Sequence, residues 1–259
     1  MKIIFGLFIV LIIILIIKCI KYRETFEYQS KTIDVAILFT GYNIDEWDYK
    51  FVEKWHNNIK FYFIWNKDKK TTDESNKYGN KISKLNNVIT MERDNYGWDA
   101  TAWKEGINKY YNELKTYDEI FLLNNSMNYE KLDMRQISEL AVNYDIYGIY
   151  YTQLTKHIDS YFTGFNHKTV NSDDFKNFFF NNFPVIESHG DAVTEYEMSI
   201  SKYFEKKGYS FGSYIANKRP HTQFYSKFPK SVNLNDVKLV TKKVHLKYDN
   251  NYDKWKRLK

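Results

Sequence analysis

Short, nearly continuous apolar runs alternate with amphipathic segments along the first half of the chain. The apolar runs lie at residues 33–40, 60–65, 88–91 and 119–123. Apolar runs of this length are typical of strands that are buried on both faces of a parallel sheet. Helical patterns separate them, at residues 46–57, 76–85 and 99–115. This alternation predicts βαβ units joined by right-handed crossovers.

The second half of the chain continues the pattern with fewer strands. Strands are predicted at residues 145–151 and 160–166, and helices at residues 172–181 and 194–207, the last of which ends before Gly208. Neither an internal repeat nor a low-complexity linker divides this region. We therefore predict one α/β domain over residues 33–259, with a mostly parallel, Rossmann-like sheet flanked by helices.

An apolar N-terminal segment precedes the predicted domain. Ile3–Ile17 is unbroken, and Lys18 can snorkel so that the segment continues through Ile20. This run is a few residues shorter than the roughly 20 that cross a bilayer comfortably. It is nevertheless long for a signal-peptide core, and no small-x-small cleavage site follows it. We predict an uncleaved, single-pass transmembrane signal-anchor at residues 1–23 and a polar spacer at 24–32; a cleaved signal peptide is the alternative.

The charges that flank this segment bear on its orientation in a membrane. Lys2 and the α-amine lie on one side, whereas Lys18, Lys21 and Arg23 lie on the other. Basic residues concentrate on the cytoplasmic side of membrane proteins, so the bias favours a cytoplasmic domain. A lumenal domain is the alternative.

Charge and cysteine content narrow the classes of function. The net charge of +6 comes from scattered basic residues that become more frequent near the C-terminus. A solvated helix face explains them better than nucleic acid or anionic lipid, because no zinc-finger, RNP-type or helix-turn-helix signature accompanies them. We therefore expect no nucleic-acid partner. The single cysteine, Cys19, excludes a disulfide framework and a cysteine-based zinc site.

A polar cluster follows the third predicted strand, at the edge where open parallel sheets bind ligands. The segment Arg93–Asp99 follows this strand, and a predicted helix begins at its end. Gly97 lets backbone come close to a ligand, and Asp99 can N-cap the helix. The helix N-terminus and the fork of Arg93 both suit phosphate oxygens. A capped loop with a surface arginine is the alternative interpretation.

The first and fourth strands end in small residues, hydroxyls and amides. Thr40-Gly41 ends the first strand, and Asn124-Asn125-Ser126 follows the fourth. Amides and hydroxyls can hydrogen-bond ribose or sugar hydroxyls, but they make a weak Mg²⁺ or Mn²⁺ site because no carboxylate is among them. We expect nine residues at this edge to bind a ligand with phosphate and sugar groups, and we call them the donor residues: Thr40, Gly41, Arg93, Asn95, Gly97, Asp99, Asn124, Asn125 and Ser126.

Thr194–Glu197 opens the helix that ends before Gly208. Thr194 and Glu197 have the T-x-x-E spacing of a capping box, which by itself explains Glu197. A carboxylate at a helix N-terminus is also kept ionised by the helix dipole, as a general base for a hydroxyl requires. The histidines show no metal-ligand spacing, which favours structural or surface roles for them. No serine lies in a G-x-S-x-G elbow, so a hydrolase triad is unsupported.

Four stretches, taken in order, resemble the rhamnan synthesis F family of glycosyltransferase-like proteins. They are Arg93–Asp99 with Ala102–Gly106, Tyr117–Ser126, His157–Phe162, and Glu197–Ser201 with Lys207–Tyr209. The resemblance implies a GT-A-like fold. It also implies hexosyl- or rhamnosyl-type transfer from a nucleotide-sugar donor to a glycan or polysaccharide acceptor.

The same resemblance implies roles for individual residues. The acidic base of such enzymes precedes a Gly-aromatic pair at the end of its helix, and the spacing back from Gly208 selects Glu197, with Glu195 in reserve. His157, Ser160 and Tyr161 would line the acceptor side.

The chain departs from the family pattern at one position that matters for metal binding. The family has Asn-Asp-Ser where this chain has Asn124-Asn125-Ser126. One hypothesis is an active transferase that binds its donor without a metal or with a weakly held Mn²⁺ or Mg²⁺. The second is a catalytically degenerate protein that binds nucleotide or carbohydrate. The third is a membrane-tethered interaction protein without a ligand.

Overall fold

The computed structural model describes residues 18, 34–129, 132–152, 157–217, 232–234 and 237–241. The chain divides into two units, Met1–Ile33 and Asp34–Lys259. The predicted anchor at 1–23 and spacer at 24–32 therefore lie outside the described residues, apart from Lys18. Within the part that is described, no helix combines the length and the apolar character needed to cross a bilayer.

Four parallel strands form one half of the main sheet, in the order β3-β2-β1-β4. They are β1 (Val35–Gly41), β2 (Lys60–Lys67), β3 (Val88–Asp94) and β4 (Glu119–Asn124). All seven residues of β1 and all six of β4 are buried, as expected for central strands covered on both faces. The four apolar runs of the sequence are thus confirmed as strands.

Antiparallel pairing extends this sheet on the far side of β4. The remaining strands are β5 (Met127–Asn128), β6 (Ile146–Thr152), β7 (His157–Ile158), β8 (Phe162–Asn166), β9 (Phe211–Asn217), β10 (Val232–Leu234) and β11 (Val237–Thr241). β8 lies antiparallel between β4 and β6, whereas β9 runs parallel to β6. β5, β11 and β10 form a small antiparallel sheet. The predicted α/β fold with a mostly parallel, Rossmann-like sheet is confirmed.

Helical segments connect the strands. The α-helices are α1 (Glu46–Trp55), α2 (Asp73–Ile82), α3 (Trp98–Leu114), α4 (Met134–Ser138), α5 (His167–Val170), α6 (Asp173–Lys176), α7 (His189–Asp191) and α8 (Met198–Lys206). A 3₁₀ turn spans Glu139–Val142, and π-helical turns span Asn177–Asn181 and Ala192–Glu197. The three helices predicted between the parallel strands are confirmed, with ends that differ by a few residues.

Helix α3 is fixed to the centre of the sheet by Trp103. Its buried indole N–H lies 3.3 Å from the carbonyl oxygens of both Leu38 and Leu123, which belong to the adjacent strands β1 and β4. Because a buried indole N–H needs an acceptor, this contact fixes both the position and the rotation of the helix. The start of α3 is thereby held at the carboxyl-terminal edge of the sheet.

Most of the aromatic residues of the described part are core residues rather than a surface for sugars. Phe165 packs edge-on against Phe175 at 5.4 Å and against Phe179 at 6.3 Å, and all three rings are buried. Edge-to-face contacts at these distances are favourable beyond the area that they bury. Among the described residues, the aromatic side chains with substantial exposure include Tyr96, Trp98 and Phe180.

A buried carboxyl group lies where β4 begins. Glu119 is 1% exposed and accepts a hydrogen bond of 2.7 Å from the hydroxyl of Tyr147 on β6. Burial raises the pKa of Glu119 from 4.5 to about 7, although the hydrogen bonds from Tyr147 and Ser138 act in the opposite direction. The carboxyl group of Glu119 therefore holds its proton more tightly in the folded protein than in the unfolded chain.

We predict that Glu119→Gln flattens part of the pH dependence of stability. The raised pKa stabilises the fold fully below pH 4.5, and this contribution is lost as the pH rises through about 7. Relative to wild type, the variant should gain roughly 2–3 kcal/mol between pH 5 and pH 8. Chemical unfolding of both proteins at these two pH values measures the difference, and parallel stability curves would contradict it.

Candidate active site

The carboxyl ends of the four parallel strands bring most of the predicted donor residues to one edge of the sheet. In sheet order, the residues at or just beyond these ends are Arg93 and Asn95, Asn66, Thr40 and Gly41, and Asn124 to Ser126. Parallel strands in such a sheet place their ligands at this edge. The sequence therefore located the edge correctly, and side-chain contacts decide what each residue can do there.

Arg93 is engaged within the protein rather than presented to a ligand. Its side chain is only 5% exposed, and its Nε lies 2.8 Å from Oε2 of Glu105 on α3. Its terminal nitrogens donate to Oε1 of Glu105, to the carbonyl of Tyr96 and to Oδ1 of Asn66. This corrects the expectation of a free fork for pyrophosphate, because the guanidinium instead ties β2, β3 and α3 together.

The loop between β3 and α3 has an unusual backbone conformation. Gly97 is the N-cap of α3 with φ 63°, and Trp98 follows with φ 52°. A Cβ atom on Gly97 would lie 2.1 Å from Oγ1 of Thr101, so both the conformation and the space require glycine. Asp99 lies within the first turn of α3, so the expectation that it caps this helix is wrong.

Asp99 instead joins α3 to the end of β4. Its Oδ2 accepts a hydrogen bond of 2.7 Å from the amide nitrogen of Asn124. The other end of the Asn124 amide, Oδ1, accepts from the backbone N–H of Ser126 at 3.0 Å and from its hydroxyl. These three predicted donor residues are thus brought together in one hydrogen-bonded group.

Asn125 has a structural role that its position in the sequence does not reveal. Its amide nitrogen donates to the carbonyl of Tyr42 at 2.9 Å, while its Oδ1 lies 3.4 Å from the N–H of Tyr42. Oδ2 of Asp48 is also 3.4 Å from the amide nitrogen. A Cβ atom on Gly41 would lie 2.4 Å from Cδ1 of Ile44 and 3.1 Å from Cγ of Asn125, so Gly41 leaves space for both side chains.

These contacts decide whether the end of β4 fits a divalent cation. The oxygen of Asn124 already accepts from Ser126, and the amide of Asn125 spans the Tyr42 backbone. Neither side chain brings a negative charge, which Mg²⁺ and Mn²⁺ sites in proteins usually contain. The residues Asn124 to Ser126 therefore do not fit a metal site.

Asn95 lies farther along the edge and is exposed. Its amide nitrogen donates to Oδ2 of Asp68 at 3.3 Å, and the hydroxyl of Tyr42 donates to Oδ1 of the same carboxylate at 2.9 Å. Thr40 is fully buried and accepts from the amide of Asn66 at 3.0 Å. Asn95 and Thr40 thus contribute to hydrogen-bond chains that connect the ends of β1, β2 and β3.

Glu197 is buried, and a π-helical turn places it there. Residues Ala192–Glu197 form this turn, in which the N–H of Met198 donates to the carbonyl of Val193. Thr194 is exposed, and its hydroxyl donates to Gly190 rather than capping a helix, so the predicted capping box is wrong. The reason is that helical structure begins earlier, at His189. Glu195 is exposed on the same segment, whereas Glu197 is 7% exposed.

The packing of the preceding residue links Glu197 to the core. Tyr196 is buried, and its ring centroid lies 5.7 Å from that of Trp103 and 5.4 Å from that of Phe183. Burial raises the pKa of Tyr196, and the nearby charges of Glu197 and Asp99 raise it further. The carboxylates of Asp99, at the start of α3, and of Glu197 therefore both lie near the ring of Tyr196.

Three ionisable side chains, His157, Asp159 and Glu197, form a buried cluster. Nε2 of His157 lies 3.1 Å from Oε1 of Glu197 and 3.6 Å from Oδ1 of Asp159. Burial first, and the charge of Glu197 second, raise the pKa of Asp159 well above its usual range. One ligand atom from each residue falls within 4.8 Å of the others, so this mixed nitrogen and oxygen set is the arrangement among the described residues that suits a divalent cation.

The predicted acceptor-side residues belong to this same region, where His157 is buried and Ser160 and Tyr161 are half-buried. Ser160 donates its hydroxyl to Oε2 of Glu197 at 2.6 Å, and His157 is 2% exposed. The carbonyl of Tyr161 accepts from the hydroxyl of Tyr129 at 2.6 Å and lies 3.4 Å from the N–H of Asn124. His157 and Ser160 are thus contacts of Glu197 rather than a surface for an acceptor.

Sequence reasoning missed Asn66, Glu105 and Asp159 as parts of this site. Asn66 directly follows the apolar run of β2, which is a signal that could have been read. Glu105 and Asp159 lie within stretches that resemble the family, but the sequence does not show their partners, because only the fold brings Arg93 and Glu197 to them.

Comparison with known proteins assigns this chain to a family. The family model for rhamnan synthesis protein F matches residues 63–252. Two curated relatives from Vibrio anguillarum, each named virulence protein VirA, are 29% identical over 201 residues, which cover 73% of this chain and 61% of theirs. The chain thus spans less than two thirds of their length.

Among solved structures, the nucleoside-diphosphate-sugar pyrophosphorylase from Vibrio cholerae RC9 is similar with a TM-score of 0.42 and 11% identity, over 71% of this chain and 92% of that one. The family match includes the ends of β2, β3 and β4, the His157 stretch and Glu197. The chain belongs to the rhamnan synthesis protein F family.

Proposed function

We propose that the chain is a GT-A-like glycosyltransferase that transfers a hexosyl or rhamnosyl unit from a nucleotide-sugar donor to a glycan or polysaccharide acceptor. The observation that carries the proposal is the buried carboxylate of Glu197, which Ser160 and His157 contact on separate oxygens. A carboxylate held in this way, beside the ligand-binding edge of the sheet, suits a general base. Membership of the rhamnan synthesis protein F family supports the same reaction class.

In this proposal the donor binds along the ends of β1, β3 and β4. Ser126, Asn124 and Asp99 form one hydrogen-bonded group that can exchange partners with the hydroxyls of a ribose or a sugar. The N-terminus of α3, a helix of 17 residues, supplies backbone N–H groups and a positive dipole end for the diphosphate. Gly41, Gly97 and Asn95 complete the edge, and Arg93 acts indirectly by fixing the loop that precedes α3.

Glu197 would remove the proton from the acceptor hydroxyl as that oxygen forms a bond to the anomeric carbon. The bond between this carbon and the diphosphate oxygen breaks, and the nucleoside diphosphate leaves with the electron pair. The exposed Glu195 is a weaker choice because water screens it and no described contact orients it toward the edge. Mn²⁺ or Mg²⁺ would enter with the donor diphosphate as its main ligand, because the end of β4 offers amides in place of carboxylates. The membrane anchor at residues 1–23 and the cytoplasmic orientation remain predictions of the sequence.

A second function, binding without turnover, is favoured by one observation. Asn125, at the position where the family pattern has an acid, is committed to the Tyr42 backbone. A chain that keeps the fold and loses the metal could retain nucleotide or carbohydrate as a ligand alone. Calorimetry that detects nucleoside diphosphate binding, together with no product from any donor, would establish this second function.

We predict that Glu197→Gln lowers the rate of transfer by roughly 10²- to 10⁴-fold, because the amide cannot accept the proton. Nucleoside diphosphate binding should stay within about threefold of wild type, since the substitution preserves shape and leaves the donor edge intact. Transfer is measured as nucleoside diphosphate release with a panel of nucleotide-sugars. The matched control is Glu195→Gln, two residues away and exposed, which should stay within about twofold. Full activity in Glu197→Gln would remove this residue from the mechanism.

We predict that Asn125→Asp does not create a metal site and instead destabilises the fold by about 1–3 kcal/mol. The carboxylate cannot donate to the carbonyl of Tyr42, and it places a negative charge beside Asp48. Chemical unfolding and Mn²⁺ calorimetry measure the two effects. Asn57→Asp, at an exposed turn position, serves as the control and should leave stability nearly unchanged. Tighter Mn²⁺ binding by Asn125→Asp would overturn this interpretation of Asn125.

A further inference from the structure

The cluster of His157, Asp159 and Glu197 joins two parts of the fold that are distant in sequence. His157 begins β7, Asp159 follows that strand, and Glu197 ends the π-helical turn before α8. The three side chains are 2%, 1% and 7% exposed. Because water hardly reaches them, the contacts among these groups act in a medium of low dielectric and are stronger than surface contacts.

The carboxylate of Glu197 is contacted on both of its oxygens by residues of the β7 segment. Oε2 accepts the hydroxyl of Ser160 at 2.6 Å, and Oε1 lies 3.1 Å from Nε2 of His157. Two contacts on separate oxygens fix the plane of a carboxylate, whereas a single contact leaves it free to rotate. Each oxygen of a carboxylate has two lone pairs, so one contact per oxygen does not exhaust its capacity to accept hydrogen bonds.

Asp159 approaches the same imidazole nitrogen as Glu197. Its Oδ1 is 3.6 Å from Nε2 of His157, and Oε1 of Glu197 is 3.1 Å from that nitrogen. One ligand atom from each of the three residues lies within 4.8 Å of the others, so the two carboxyl groups are also neighbours. With its N–H at Nε2, the imidazole is attracted to both oxygens. This attraction offsets the repulsion between the carboxyl groups and restrains the orientation of the ring.

We infer that His157 and Asp159 are positioning residues for Glu197: Asp159 restrains the imidazole, and the imidazole with Ser160 holds the carboxylate in the orientation that an acceptor hydroxyl needs. This inference rests on the proposed function for its catalytic meaning, although the contact itself exists without catalysis. It assigns His157 and Ser160 to the base rather than to the acceptor surface, and it adds Asp159 to the site.

A pair of substitutions separates positioning from packing. His157→Phe and His157→Gln both fill much of the space of the imidazole, but only glutamine retains an N–H donor. In the 259-residue chain, His157→Phe should lower kcat roughly 10- to 100-fold through a misplaced base, with the donor KM nearly unchanged. His157→Gln should recover most of that loss. Equal losses in both variants, or wild-type kcat in His157→Phe, would overturn the inference.

Ser160→Ala provides a second test at a half-buried position, where misfolding is a smaller concern. It removes the contact to Oε2 alone, so kcat should fall while the donor KM stays nearly constant. An unchanged kcat would overturn the two-sided orientation of the carboxylate. Asp159→Asn, which keeps the shape of the side chain, should also lower kcat by loosening the imidazole.

Nitrogen NMR of the histidine side chains tests the contact without any reaction. The chain has six histidines, and His157→Gln assigns the signal of interest. Glu197→Gln and Asp159→Asn should each shift the Nε2 signal of His157, whereas Glu195→Gln should not. An unmoved signal would overturn the positioning inference even if transfer is observed. A shifted signal in a chain that transfers no sugar would retain the contact and reject the proposed function.

Zinc titration of the wild-type chain in the same experiment addresses the competing use of these groups. Saturable Zn²⁺ binding that moves the His157 signal and is lost in Asp159→Asn would identify a metal site and overturn the positioning inference. An unaffected His157 signal at millimolar Zn²⁺ supports it.

Discussion

Burial of the Glu197 carboxylate is the constraint on which the site depends. A carboxylate removed from water is tolerated only with partners, and Ser160 and His157 approach it on separate oxygens. The core sets where this carboxylate lies, because Tyr196 packs against Trp103, and the indole of Trp103 contacts carbonyl groups of β1 and β4. The placement of Glu197 therefore follows from the packing of α3 on the sheet rather than from a surface loop that could be remodelled freely.

The carboxyl-terminal edge of the parallel strands is organised by contacts within the protein. Arg93 is held by Glu105, and Asn125 is held by the Tyr42 backbone, so two residues that resemble ligand contacts in the sequence instead shape the loops. Under the proposed function, such contacts restrict the loops before the donor binds, which lowers the entropic cost of binding. The side chains that remain suited to ligands are mainly neutral amides and hydroxyls together with Asp99. This composition favours recognition of sugar and ribose hydroxyls over tight metal binding.

The sequence predicted the sheet well because buried parallel strands are short apolar runs, a signal that needs no partner to be read. It also predicted the edge, since strand ends follow from strands. It failed where the role of a side chain depended on a residue distant in sequence. The T-x-x-E spacing of Thr194 and Glu197 indicated a cap, but helical structure that begins at His189 converts it into a π-helical turn. Likewise, nothing near Asp159 in the sequence shows that Glu197 will lie beside it, because the fold alone brings the two together.

The most direct measurement of the central claim is turnover by the wild-type chain across a panel of nucleotide-sugars, with and without a chelator. Release of nucleoside diphosphate reports transfer or hydrolysis whatever the acceptor is, so the acceptor need not be known. We predict that one donor class is turned over and that a chelator lowers the rate only modestly, because the end of β4 holds no carboxylate for a metal. Nucleoside diphosphate binding with no turnover of any donor, in the presence or absence of Mn²⁺, would contradict catalysis by Glu197 and identify a binding protein on a transferase fold.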